Sequence, residues 1–110
     1  MVDIGQVKTF VKPVPDKAQA LKVVEEAAEV FGAWQEWISS PHSETMDAIK
    51  LECADVIQAT CNLLASIGVT DFSGYMKECE VRNKFRGRAY EDTMVEPCEP
   101  VTEFQMNLEL

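Results

Sequence analysis

Apolar side chains recur every three or four positions through "LKVVEEAAEVFGAWQEW" and its flanks, at Ala20, Val23, Val24, Ala27, Phe31, Trp34 and Ile38. That spacing marks one face of a helix. Asp16, which follows the prolines of "KPVPD", has the character of an N-cap, and Gln19 three residues on completes a capping-box pattern. The pattern predicts a first helix over about 17–38. "SSPHSET" breaks it, and Thr45 is placed to cap a second helix over about 46–67, closed by Gly68 with Val69 beyond. Thr70 or Asp71 is placed to cap a third helix, running to about Phe85 and stopped near Gly87. Residues 1–15 read as a lead-in. The closing stretch "AYEDTMVEPCEPVTEFQMNLEL" holds two prolines and no clear period, so an extended arm or tail is expected there. Strand signals are scarce and there is no internal repeat. The expectation is an all-α chain: a helical domain over residues 1–90, with its core in 17–88, followed by a tail over 91–110.

The second helix changes that picture. It is apolar over most of its circumference, which calls for burial on several sides. One short chain cannot supply that burial alone. Short helices completing a four-helix-type bundle by oligomerisation, as a dimer or tetramer, are therefore expected.

Size and composition agree with a single packed domain. The chain has 110 residues, 46% of them apolar, too many for a disordered chain. No apolar run approaches the roughly 20 residues a membrane span needs. The first residues show no basic region followed by an apolar core, so no signal peptide is expected. Cys53, Cys61, Cys79 and Cys98 have no CxxC spacing and read as reduced thiols, the cytoplasmic condition. The net charge of −9 argues against nonspecific nucleic-acid binding. Six of the acids follow Arg88 with no base among them, so the first 90 residues hold 13 acids and 10 bases and much of the acidity belongs to the tail.

The candidate chemistry lies in four acids. Glu26 and Glu29 are three apart in the first helix, and Glu52 and Asp55 three apart in the second; each pair shares a face. In the first helix a solvated face of Lys22, Glu25, Glu29 and Glu36 is the simpler account. The second helix argues otherwise. Its polar stripe beyond Asp55 is Gln58, Asn62 and Ser66, short and uncharged, where a solvent face usually carries Lys and Glu. Such a stripe suggests a half-buried groove, in which carboxylates cost several kcal/mol unless neutralised. Lys50 and the bases of the third helix are available, but a divalent cation is the efficient solution. Four hard oxygen ligands without His or Cys favour Mg²⁺ or Mn²⁺. The lone His42 falls in a loop, which excludes the carboxylate–histidine pairs of a di-iron bundle.

The third helix carries the opposite charge. "ECEVRNKFRGR" puts Glu80, Asn83 and Lys84 on one face, with Arg82, Arg86 and Arg88 around them. A solvated basic helix end is the ordinary account, and a phosphate clamp the functional one. Acids for metal and bases for phosphate together suit a nucleoside triphosphate. There is no P-loop or glycine-rich cradle, so metal and side chains would have to hold the phosphates.

"EEAAE", then "ECAD", then "RNKFRGR" resembles the MazG-like all-α nucleoside triphosphate pyrophosphohydrolases, over roughly Leu21 to Arg88. The resemblance implies metal binding by Glu26, Glu29, Glu52 and Asp55, with Mg²⁺ or Mn²⁺ as cofactor. It implies phosphate contacts by Asn83 and Lys84, with Arg86 or Arg88 beside them, and places Asn62 on the pocket wall. Trp34 and Trp37 offer faces on which a base can stack, with core packing the competing account, favoured for at least one of them. The implied reaction cleaves a (deoxy)nucleoside triphosphate between its α and β phosphates, giving the monophosphate and pyrophosphate. Cations would bridge the phosphates and acidify a water, Glu25 or Glu29 would orient that water or take its proton, and the bases would steady the leaving group. The tail matches nothing in the family. The alternative is a non-catalytic helical interaction module with the same fold, its acidic tail meeting a basic partner; an intact acid quartet argues against it.

Overall fold

The computed structural model describes residues 1–92. All the regular structure among them is helical: α1 (Lys17–Ser39), α2 (Ser43–Ser66) and α3 (Ser73–Phe85). The expected helical domain divides into two compact units, one of Asp3–Thr70 and one of Met1–Val2 with the chain from Asp71 onward. The expected arm over 91–110 lies, apart from an exposed turn at Glu91 and Asp92, outside the described residues.

In the first unit, α1 starts as its sequence dictates: Asp16 Oδ1 accepts the Gln19 backbone N–H at 2.9 Å. Its end at Ser39 is set by "SSPH", because the residue before a proline is pushed out of the helical region. Three residues then connect it to α2, so the two helices fold back on one another as a helical hairpin. α2 begins at Ser43, three residues before the expected start. The cap there is His42, and Thr45 occupies the third helical position, where its Oγ1 accepts the His42 backbone N–H at 3.1 Å. Thr45 thus does the capping from inside the helix. The far end is as predicted. Gly68 takes φ +87°, its N–H reaching Ala65 O at 3.0 Å and that of Val69 reaching Leu64 O at 3.0 Å, the two bonds of a Schellman motif.

The α1 positions that turn from solvent are Gln19, Val23, Glu26, Val30, Ala33 and Trp37, a seam spaced three and four apart. The facing seam of α2 includes Thr45, Ala48, Glu52, Val56, Ala59 and Leu63. Both seams therefore carry a glutamate in place of an apolar knob. The stripe picked out from the sequence is a second one: Ala20, Val24, Ala27, Phe31, Trp34 and Ile38 are all exposed, Phe31 at 57% and Val24 at 64%. Of the apolar positions that the periodicity selects, only Val23 belongs to the inner seam. Among the described residues Ala59 is the single apolar one that is buried.

The lead-in is not loose. Gln58 Nε2 donates to Lys8 O at 2.9 Å, and Asn62 Oδ1 accepts both the Phe10 N–H at 3.0 Å and Gln58 Nε2 at 3.0 Å. These amides strap residues 8–10 along α2.

In the second unit, α3 begins at Ser73, two residues after Asp71, whose Oδ1 accepts the Ser73 N–H at 3.0 Å and its hydroxyl at 2.8 Å. Those two bonds hold the Asp71 carboxyl below the usual carboxylate range. Gly87, at φ +85°, ends α3 in a second Schellman motif, with Gly87 N–H to Lys84 O and Arg88 N–H to Asn83 O.

Candidate metal centre

Hairpin geometry assembles the acids. Glu29 lies ten residues before the end of α1 and Glu52 nine after the start of α2; Glu26 and Asp55 are thirteen and twelve from the same points. At 1.5 Å per residue, folding back at Ser40–His42 brings Glu29 level with Glu52 and Glu26 level with Asp55. One carboxylate oxygen from each of Glu26, Glu29, Glu52 and Asp55 lies within 4.8 Å of the others. Glu26 and Glu52 sit in the two inner seams, while Glu29 and Asp55 are exposed at the lip.

Depth separates this cluster from an ordinary acidic surface. Glu26 is 9% exposed. Glu52 Oε2 has no access to solvent and no hydrogen-bond partner. An ionised oxygen so placed lacks compensation. A cation stands at the edge: Lys22 Nζ lies 3.3 Å from Glu26 Oε1 and 3.5 Å from Glu25 Oε2. The hydrogen bond to Glu26, its charge, and then Glu25 hold the Lys22 ammonium above its ordinary range. Both ion pairs of Lys22 are thus made with α1 carboxylates. Glu25 stands outside the four, on the Lys22 side, leaving Glu29 as the expected water-orienting residue that is also in the cluster.

The donor set fits a hard divalent ion. Oxygens bound to Mg²⁺ at about 2.1 Å stand roughly 3–4 Å apart across an octahedron. A quartet already within 4.8 Å needs only small side-chain adjustments to close on one.

The expected groove beyond Asp55 contains the chain itself. Asn62 is 4% exposed, and its Oδ1 is engaged by Phe10 and Gln58 rather than facing an open pocket wall. Trp34 is 45% exposed on the outer stripe, stacked on Phe31 at 5.8 Å between centroids, whereas Trp37 lies in the inner seam. Core packing thus falls to Trp37, and Trp34 stands off the seam that carries the acids.

At the end of α3, within the second unit, Asn83 is a hub. Its Oδ1 accepts from Arg88 Nη1 at 3.2 Å and Arg86 Nη1 at 3.5 Å, and its Nδ2 donates to the Tyr90 hydroxyl at 3.0 Å. Lys84 Nζ pairs with Glu80 at 3.3 Å and sits 5.6 Å from the centre of the Tyr90 ring. Asn83 is thus occupied in gathering cations. Tyr90, which holds two members of the group, carries no periodic signal because it lies beyond the helix. The role of Gln58 in holding the lead-in was equally silent in the sequence, since its partner is a backbone carbonyl fifty residues away.

No family model, curated protein or solved structure matches this chain.

Proposed function

We propose that this chain is a MazG-like, Mg²⁺-dependent nucleoside triphosphate pyrophosphohydrolase that cleaves between the α and β phosphates. One observation carries the reading: four carboxylates from two helices converge within 4.8 Å, one with an oxygen sealed from solvent and unpartnered. A divalent cation resolves that arrangement, with Glu26 and Glu52 holding it from the seam and Glu29 and Asp55 from the lip. Once bound, the cation supplies positive charge for phosphate oxygens and lowers the pKa of water. Glu29, at the exposed edge, is the residue to orient the attacking water and receive its proton. Within the second unit, Asn83 gathers the guanidiniums of Arg86 and Arg88 beside Lys84, a cationic group of the kind that binds phosphate.

The working form in this proposal is an oligomer. The outer stripe of α1, from Ala20 to Ile38, has the three-and-four spacing of a helix–helix seam and is exposed along its whole length in a single chain. A second copy covering it would complete a four-helix bundle and supply the core that one chain lacks.

The test is a panel of ribo- and deoxyribonucleoside triphosphates with Mg²⁺ or Mn²⁺, assayed for pyrophosphate and for orthophosphate. The expected product is pyrophosphate with the nucleoside monophosphate, absent in Glu52→Gln. Orthophosphate with a diphosphate would overturn the assigned bond cleavage, and no turnover of any nucleotide would favour the interaction module.

A further inference from the structure

The lead-in strap has features that a passive tether does not need. Its backbone is held at two points by side-chain amides, through Lys8 O and Phe10 N–H. One of those amides, on Asn62, is among the most buried polar groups of the chain. Two residues after Phe10 the chain passes through Lys12 at φ +52°, a left-handed conformation for a residue that is neither glycine nor asparagine, immediately before Pro13. Strain of this kind persists where the surroundings over-determine it, and it clusters at binding sites. The latch nevertheless leaves Phe10 67% exposed. An aromatic residue held by its backbone, with its side chain at the surface, offers a positioned face against which a ligand can pack.

The position of the strap suggests which ligand. Asp55 and Asn62 are seven residues apart on α2, so they point within about 20° of each other and are separated by about 10 Å along the axis. Gln58 lies between them. Lys8 and Phe10 are thus fastened to the same side of α2 that carries the lip of the acid quartet, one and two turns beyond it. A phosphate group held at the quartet leaves its sugar and base to extend about this distance.

We infer that the latched strap is the base-side wall of the site, and that the ring of Phe10 is the platform on which the nucleobase stacks. The inference rests on the proposed nucleotide reading of the quartet. Gln58 and Asn62 are then positioning residues that act through the strap, and the uncharged stripe beyond Asp55 is explained by the backbone it must bind. Stacking on a ring is tolerant of base identity, because each base presents a π-face. The wall therefore contributes affinity for nucleotides broadly.

The experiment compares wild type with Phe10→Ala, Phe10→Leu and Phe10→Trp. Affinity is measured calorimetrically in Mg²⁺ for a non-hydrolysable nucleoside triphosphate and for inorganic tripolyphosphate, which has no base, and turnover is followed in parallel. Because the bonds to the strap use its backbone, the variants should melt within a few degrees of wild type. Phe10→Ala and Phe10→Leu should weaken nucleotide binding at least about fivefold, the low end for loss of a stacking ring. Tripolyphosphate affinity should be unchanged, and Phe10→Trp should restore the nucleotide. Equal nucleotide affinity in Phe10→Ala and wild type would overturn the platform alone, as would a parallel loss for tripolyphosphate. Nucleotide binding without pyrophosphate release would overturn the hydrolase reading and leave the platform standing. Absence of nucleotide binding by wild type would overturn both.

Discussion

Replacing Glu52 by Gln tests the metal centre at its deepest point. The substitution keeps size and shape, removes one negative charge from the quartet and turns an unpartnered oxygen into an amide that can donate to Glu26 or Glu29. Two carboxylates 4.8 Å apart repel by about 3 kcal/mol at an effective dielectric of 20 and by just under about 1 kcal/mol at that of water. With two of the four acids exposed, the relief lies toward the lower figure, so about 1 kcal/mol is expected for the metal-free protein. For a domain of this size that raises Tm by about 4–8 °C.

Metal reverses the ranking. A cation at one hundred times its Kd stabilises the folded state by about 2.7 kcal/mol, roughly 10–20 °C for the wild type. Glu52→Gln, with its seam ligand gone, should show little of that shift. Differential scanning fluorimetry with and without millimolar Mg²⁺ or Mn²⁺, after exhaustive chelation, reads both arms. The crossing is the diagnostic: the variant melts above wild type without metal and below it with metal. A variant that melts several degrees lower in chelator would mean that the Glu52 carboxylate supports the seam by itself, and that repulsion within the quartet is not relieved by its loss. An undiminished metal shift would refute the ligand assignment.

Three further outcomes follow from other parts of the molecule. Sedimentation at micromolar concentration should give a dimer or larger, and Phe31→Lys with Trp34→Lys should shift it toward the 12.3 kDa single chain with loss of helicity; a folded, active monomeric wild type would remove the shared bundle. Lys84→Ala should lower kcat/KM at least about tenfold, as for a charged contact of roughly 1.5–3 kcal/mol, while leaving the metal-induced shift in Tm intact. If the ion pair with Glu80 is all that Lys84 does, the exposed pair contributes about 0.3–0.5 kcal/mol and turnover should barely change. The Asp71 carboxyl titrates lower in the folded chain than unfolded, so its support of α3 is present above about pH 4 and is lost as pH falls through the folded value. Exchange protection of the Ser73 amide should fall on acidification in wild type and not in Asp71→Asn, which keeps a neutral acceptor; equal acid sensitivity in both would sink the assignment.

Local chemistry was legible in the sequence to the extent that it stayed local. Asp16, Gly68 and Gly87 mark helix ends through bonds spanning only a few residues, and all three ends are where the pattern placed them. Thr45 and Asp71 read from the sequence as capping residues, one to three positions from their true role. A hydroxyl can cap from inside the first turn, and a carboxylate from two residues before it, with the same spacing signal. The acid quartet was legible because two same-face pairs and a short break leave little freedom in how a hairpin closes. Which apolar stripe faces the partner helix was not. α1 carries two seams of the same spacing, one position apart, and periodicity selects the more hydrophobic, which is the exposed one. The inner seam was disguised by Gln19 and Glu26, polar residues at positions that packing alone would give to Leu.

That disguise connects fold to chemistry. A seam with glutamates at two knobs gives up apolar burial where it is most valuable, and the hairpin keeps only Ala59 buried among its described apolar residues. The outer stripe compensates, because the apolar surface missing from the inner seam reappears one position around α1 as Val24, Phe31 and Trp34. The proposed cation and the proposed second copy therefore address the same deficit from opposite sides of one helix. One neutralises the inner seam, and the other covers the outer. Their effects on stability should add only in part, since both restrain α1, and a double-mutant cycle combining Glu52→Gln with Phe31→Lys measures the coupling. A coupling beyond about 0.5 kcal/mol in the presence of Mg²⁺, vanishing in chelator, is the expected result. Strict additivity in both conditions would mean that the two faces of α1 act independently, and that assembly does not tune the metal centre.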